Sequence, residues 1–338
     1  MWYKTEGRDG DVVLNARAAL SRNLEDYPFT DKMTAEQAKE LIEKIKTVYR
    51  AENGWTMTDL TEAGEEQKLA LTEQRIISRE TAEKKNPAAV FQNEDFSVAV
   101  TVGGTDHVRI EAVVPGNDLP AALEKAFAAE TLLDEAFPVA YADQIGYVTR
   151  NPELLGTGLR VSATLHLPLC GESGWLNRAA FRMAKEGISI RSLDGGRVNT
   201  GLYVIANRET MGMTEEELAK TVTEAAERLT AKEREYRDAL TEDERAELSE
   251  EACRRYGMLM YAGRVGAGEL CSLYSRMRMA AAMNLADIAV PLVDEAMFTC
   301  LPHTLAAVEG KDASADPDKA RAVRVRDILS AAGLHGGR

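Results

Sequence analysis

The sequence predicts an α+β fold: a mostly antiparallel sheet flanked by helices over residues 1–238, followed by an all-helical region over residues 239–338. Three observations carry this. Valine-rich stretches such as "AVFQNEDFSVAVTV" and "DHVRIEAVV" alternate in side-chain character with a period of two, as half-buried strands do. A glycine pair, Gly103 and Gly104, separates these two stretches as the turn of a hairpin would. From about Leu240 onward the text becomes rich in alanine and methionine and reads as helix throughout, a composition shift that marks a domain boundary.

The elements follow in order. "DVVLNARAALSRN" opens the chain as a strand and "EDYPFTD" turns it. A helix starts at about Thr34, where Thr34 and Gln37 have the spacing of a capping box. "EEQKLALTEQRII" reads as another helix and "SRETAEKKNPAA" as a polar loop or short helix. After the β-rich middle, "LPAALEKAFAAETLLDEAF" is an amphipathic helix. The loop "TRNPELLGTG" leads into the strand "LRVSATLHLPL" and the helical "WLNRAAFRMAKEG". "ISIRSLDGGRVNTGLYVIANRE" returns to strands around a Gly-rich turn, and "MTEEELAKTVTEAAERLTAKEREYRDAL" begins a long helical tract with i,i+4 charge pairs.

Length and charge narrow the function. The 338 residues exceed what one core usually serves, which agrees with two domains. A net charge of −14 argues against a nucleic-acid binder, which needs a basic face, but leaves room for a local basic pocket. Residues 1–17 contain no apolar signal-like core and no run approaches 18 apolar residues, so the expectation is a cytoplasmic protein without a membrane partner. Cys170, Cys253, Cys271 and Cys300 form no CxxC pair, and the four histidines lie at no zinc-finger spacing. No metal site is expected, and the cysteines read as buried thiols.

Five clusters carry chemistry-bearing side chains. Arg17 and Arg22 sit in the first strand. Arg109 lies two residues from His107, which puts both on one face of a strand, and Arg160 and His166 lie six apart with the same consequence. Arg191 borders a turn carrying Asp194 and two glycines, and Arg326 adjoins Asp327 on a C-terminal helix. Arginines on successive strands of one sheet form a triphosphate cradle, because the guanidinium is planar, permanently charged and bidentate. A structural salt-bridge network is the competing reading for each arginine alone.

The order of these clusters resembles the phosphagen (ATP:guanidino) kinase family, and within it the protein arginine kinases of Gram-positive bacteria. "DVVLNARAALSRNLEDYPF", "LTEQRIISRE", "NEDFSVAVTVGGTDHVRI", "GYVTRNPELLGTGLRVSATLHLP", "IANRETMGMTEEE", "RRYGMLMYAGRVGAGEL" and "RDILSA" carry the likeness over nearly the whole chain. The resemblance implies the phosphagen-kinase catalytic fold, ATP with Mg2+ as cofactor, and a helical C-terminal domain used for dimerisation and phosphoarginine reading. It further implies a homodimer or a heterodimer with a paralogue. The partners it implies are a zinc-binding activator, a heat-shock repressor and the Clp protease system.

Carried over position by position, the resemblance assigns phosphate to Arg17, Arg109, Arg160 and Arg191, with His107 among the nucleotide-side residues. Arg22, Asn23 and Asp106 also match. The second arginine of the first strand is replaced by Ala19. The first catalytic glutamate falls on Thr105, the assisting cysteine on Asn151, and the second glutamate on Asp194 or a neighbouring glycine. Arg326 and Asp327 match the phosphoarginine motif, whose second arginine is Ser330. A guanidinium must lose a proton before its nitrogen attacks, and neither a threonine nor an asparagine takes one at neutral pH. The expectation is a pseudokinase that binds nucleotide or phosphoarginine. The alternative is an active protein arginine kinase with an altered catalytic set built on Asp194, or on nearby acids among Glu94, Asp95 and Asp106; a kinase with another acceptor is a third.

Overall fold

The computed structural model describes residues 1–193, 195, 200–310 and 315–331. The strands are β1 (Val13–Arg22), β2 (Thr56–Asp59), β3 (Ala89–Gln92), β4 (Val98–Val102), β5 (Val108–Pro115), the short β6 (Tyr141–Ala142) and β7 (Gly146–Tyr147), β8 (Leu159–His166), β9 (Ile188–Ser192) and β10 (Leu202–Asn207). Eight of them form one antiparallel sheet in the order β2-β3-β4-β5-β1-β8-β10-β9. The first strand of the sequence is thus a central strand, and all ten of its residues are buried.

Alternation decides which side chains meet which layer. Ala16, Ala18 and Leu20 of β1, Val108, Ile110 and Ala112 of β5, and Val161, Ala163 and Leu165 of β8 face the main core. That core is closed by α1 (Ala35–Lys46), α4 (Leu119–Asp134), α6 (Trp175–Lys185) and α7 (Glu215–Asp238). The predicted capping box at Thr34 is present: its hydroxyl accepts from the Gln37 amide at 3.2 Å and the Gln37 side chain returns a bond to the Thr34 amide. "EEQKLALTEQRII" forms α2 (Glu65–Glu73) and a turn, and "SRETAEKKNPAA" contains the five-residue α3 (Arg79–Glu83).

The C-terminal third is helical, as predicted: α8 (Glu242–Tyr261), α9 (Ala267–Ala282), α10 (Val290–Thr299), α11 (Pro302–Glu309) and, after the described part of the intervening loop, α12 (Pro317–Ser330), with the short α5 (Pro168–Glu172) preceding α6. These helices share a second apolar cluster with Trp2, Leu14, Leu193 and Leu202, so they pack on the sheet and its edges. A register shift between Val13 and Asn15 accompanies the placement of Leu14 in that cluster, as a bulge re-aims a side chain. Arg278 of α9 seals the junction from inside: its guanidinium donates to the carbonyls of Gly10 and Asp11 at 2.8 and 2.9 Å and to Asp294 at 2.9 Å.

Candidate functional site

The sheet face opposite the main core carries Asn15, Arg17 and Ala19 of β1, Arg109, Glu111 and Val113 of β5, and Arg160, Ser162 and Thr164 of β8. Register places Ala19 directly between Glu111 and Arg160, Arg17 between Val113 and Ser162, and Ser21 beside Arg109. The arginines expected from β1, β5 and β8 therefore come together across adjacent strands. Arg191 is exposed on the edge strand β9, paired through its backbone with Val204.

Glu111 occupies the middle of this face. One carboxylate oxygen accepts from Arg17 Nη1 at 2.7 Å, and the other accepts from Arg109 Nη2 at 2.9 Å and Nε at 3.3 Å. Burial pushes the Glu111 carboxyl up, but the Arg109, Arg17 and Arg75 guanidiniums outweigh it and hold it below the usual range. Arg75 arrives from the end of α2, where a left-handed backbone (φ 62°) stops the helix and turns the side chain to donate to Thr164 Oγ1 at 3.3 Å. Burial, with Arg17 adding to it, pushes the Arg75 guanidinium down to about 9. Burial likewise lowers Arg160, against the pull of Glu153, with Arg191 and Arg109 adding their repulsion. Five cations thus crowd one face around the central Glu111 carboxylate, with Glu153 3.9 Å from Arg160.

Beside them lies a cavity of about 570 Å3 lined by Asn15, Arg17 and Thr164 of the sheet, Arg75, and the rings of Trp2 and Phe298. Its walls are mainly apolar, and its charged lining side chains are Arg17 and Glu111 of the sheet and Glu73 and Arg75 from α2 and its end. Arg17 is 6% exposed, and its Nε has no hydrogen-bond partner among the described residues. A buried guanidinium with an open donor is suited to an anion.

At the other end of the same strands stand the loops carrying Thr105 and Asn151. Gly103 opens the first loop with φ 79°, and a Cβ there would lie 2.8 Å from the Pro87 carbonyl, so glycine is required at that position. Asp106 joins the two loops: its Oδ1 accepts from Asn23 Nδ2 and from the Arg150 amide, both at 2.8 Å. Thr105 and Asn151 each adjoin a residue of this bridge, Asp106 and Arg150. Asn151 caps the short helix Pro152–Leu154, its side chain accepting from the Glu153 amide at 3.1 Å. The Lys84 ammonium donates to the Gly103 carbonyl at 3.3 Å, to Thr30 Oγ1 at 3.2 Å and to the Gly104 carbonyl. Burial lowers its pKa. Thr105 Oγ1 donates to the exposed Glu80, whose Oε2 lies 3.4 Å away.

Several expectations change. His107 is not on a strand face beside Arg109: it lies in the turn before β5, fully buried. Its Nδ1 accepts from the Leu24 amide at 2.9 Å and its Nε2 bonds the Pro28 carbonyl at 2.8 Å, so both nitrogens serve the wall of the site. Arg22 points away from Arg17 into a buried pair with Glu130, its guanidinium over the Tyr147 ring at 3.5 Å. Asp106 is 4% exposed with its Oδ1 accepting two bonds, and Glu94 and Asp95 sit in the β3–β4 turn at the end of β4 away from Thr105. Asp194 lies outside the described residues. Arg326 donates to the Met260 and Ala262 carbonyls at 2.8 and 2.7 Å, closing the end of α8, while Asp327 and Ser330 are exposed. Among the described residues no three His, Cys, Asp or Glu side chains gather as a metal site, and no helix is long and apolar enough to cross a membrane.

The groups not foreseen from the sequence are Glu111, Arg75, Lys84 and Glu80. Glu111 alone had a signal, its two-residue spacing from Arg109 on a strand.

Residues 28–236 match the family model for the ATP:guanido phosphotransferase C-terminal catalytic domain. The chain is 30% identical over 337 residues to a protein-arginine kinase of Brevibacillus brevis, spanning 97% of this chain and 94% of that protein. It is 28% identical over 339 residues to the protein-arginine kinase of Desulforamulus reducens, spanning 97% and 95%. In fold it is similar to the duplicated taurocyamine kinase from Schistosoma mansoni with bound transition state analog components (TM-score 0.61, 22% identity, 81% of this chain and 43% of that one). The chain thus spans under half the length of that duplicated protein. A lombricine kinase crystal structure gives a TM-score of 0.59 at 16% identity, covering 71% of each chain.

Proposed function

The chain belongs to the ATP:guanido phosphotransferase family, and on that premise we propose that it is a catalytically impaired member, a pseudokinase that binds nucleotide and acts as a regulator. In this reading Arg17, Arg109, Arg160 and Arg191 hold the phosphates, and the apolar cavity of about 570 Å3 takes the base, a volume in the range of small-molecule sites. Mg2+ comes with the nucleotide's phosphates.

The observation that carries the proposal is the chemistry around Thr105. Transfer to a guanidinium requires an acid pair to orient the cationic acceptor and remove its proton. Here the loops present a threonine and a capping asparagine beside the half-buried ammonium of Lys84, and Oδ1 of Asp106 already accepts two bonds. A cation beside the loop repels a guanidinium, and loss of a positioned base lowers rates by about 10²–10⁴. One observation favours a second reading, an active protein arginine kinase with a re-sited acid: the Glu80 carboxylate at 3.4 Å from Thr105.

Two measurements made together decide between them. Calorimetry with MgATP should show binding that Arg160→Ala weakens. Incubation with labelled ATP and an arginine-rich protein should yield no phosphoarginine. Turnover abolished by Glu80→Gln, or by Asp194→Ala, establishes the second reading, and absence of MgATP binding removes the nucleotide role.

A further inference from the structure

We infer that Glu111 is an internal occupant of the phosphate position on the arginine face, and therefore the residue that sets how tightly this chain binds polyphosphate. The inference rests on the reading of that face as an anion site, given above.

The geometry has three parts. The carboxylate is shared, each oxygen taking a different arginine, as a bridging phosphate oxygen pair would. It claims Arg17 and Arg109, two of the four arginines assigned to phosphate. Its cross-strand neighbour is Ala19, whose methyl offers the carboxylate no charge or hydrogen bond. An arginine is what the family resemblance expects at position 19. The face therefore lacks one cation that the resemblance expects and holds a carboxylate at the adjacent cross-strand position.

An incoming polyphosphate must displace Glu111 from Arg17 and Arg109, or take from those two only the donors the carboxylate leaves open and accept a weaker hold. Displacement leaves a carboxylate that is 11% exposed facing phosphate oxygens of like charge. Glu111 thus opposes the ligand twice, by competition and by repulsion. A purely structural role, in which Glu111 only relieves repulsion among the arginines, predicts a loss of stability on substitution with no change in anion affinity.

The test uses the full chain as wild type, Glu111→Gln and Glu111→Asp, titrated calorimetrically with inorganic tripolyphosphate and separately with ATP. Glu111→Gln should bind tripolyphosphate about tenfold to a hundredfold more tightly, the worth of regaining one or two charge-assisted hydrogen bonds. Glu111→Asp retains the charge but withdraws it by one methylene, and should fall between the two. If Glu111→Gln does not fold, the aspartate variant decides: tighter binding than wild type upholds the inference and unchanged binding overturns it. Equal tripolyphosphate affinity in all three proteins, or no binding in any, overturns the inference. Tighter tripolyphosphate binding without tighter ATP binding upholds it and instead removes the nucleotide reading.

Discussion

Replacing Arg278 with methionine tests how the C-terminal helices hold the site together. The guanidinium is 1% exposed and makes three bonds of 2.8–2.9 Å, two to the backbone of Gly10 and Asp11 and one to Asp294. Methionine fills much of the same volume but takes the Arg278 donor from the Gly10 carbonyl, leaves the Asp11 carbonyl with Arg237 Nη1 at 3.3 Å, and leaves the Asp294 carboxylate, 7% exposed, with the Tyr274 hydroxyl at 2.6 Å. Breaking a buried ion pair from one side costs about 3–5 kcal/mol. With a urea m-value of about 3 kcal/mol/M, the midpoint should fall by roughly 1–2 M. The double variant Arg278→Met with Asp294→Asn removes the stranded charge while keeping an acceptor for Tyr274, and should recover about half of that loss. Equilibrium urea unfolding followed by circular dichroism reads both. A midpoint shift below about 0.3 M for the single variant, or a double variant no better than the single, refutes the idea that this buried pair closes the junction.

Other consequences follow from the same contacts. Burial holds both His166 and His107 below the ordinary histidine value, so both rings are neutral in the fold; the unfolded chain takes up protons below about pH 6.5 and stability should fall as pH drops through that point, less steeply in His166→Gln. Glu111 is depressed, so its contribution is complete above the ordinary carboxylate value of about 4.3 and is lost as pH falls through its lower folded value; acid unfolding of Glu111→Gln should lack that component. Thr34→Ala removes the hydroxyl that accepts from the Gln37 amide, leaving the arm from the Thr34 amide to the Gln37 side chain, and should cost about 1 kcal/mol in thermal or urea unfolding. Gly103→Ala forces a Cβ against the Pro87 carbonyl at a positive φ, and should cost about 1–3 kcal/mol by the same assays.

Much of the fold was legible because local patterns and tertiary demands agree. The alternation in "DVVLNARAALSRN" and "LRVSATLHLPL" survives as β1 and β8, and the face that carries Arg17 also carries Arg109 and Arg160 because strand parity is preserved across the sheet. The part that was not legible depends on residues distant in sequence. Arg75 reaches the sheet only because α2 ends in a left-handed residue, and Lys84 reaches the Thr105 loop from the segment after α3. His107 has the right parity for Arg109's face, yet it lies outside the strand, and the backbone of Leu24 and Pro28 captures its ring. The composition change near Leu240 marks where helices take over, but Leu14 and Leu202 of the sheet belong to the same apolar cluster as those helices.

The central claim is that the Thr105–Asn151 side of the cleft cannot take a proton from a guanidinium. Phosphorus NMR of the protein incubated with MgATP and an arginine-rich protein substrate tests it most directly. The account predicts no N-phosphoryl signal above a protein-free control, in the presence of measurable MgATP binding. A phosphoarginine resonance that grows with time and disappears in Glu80→Gln or Asp194→Ala would contradict it.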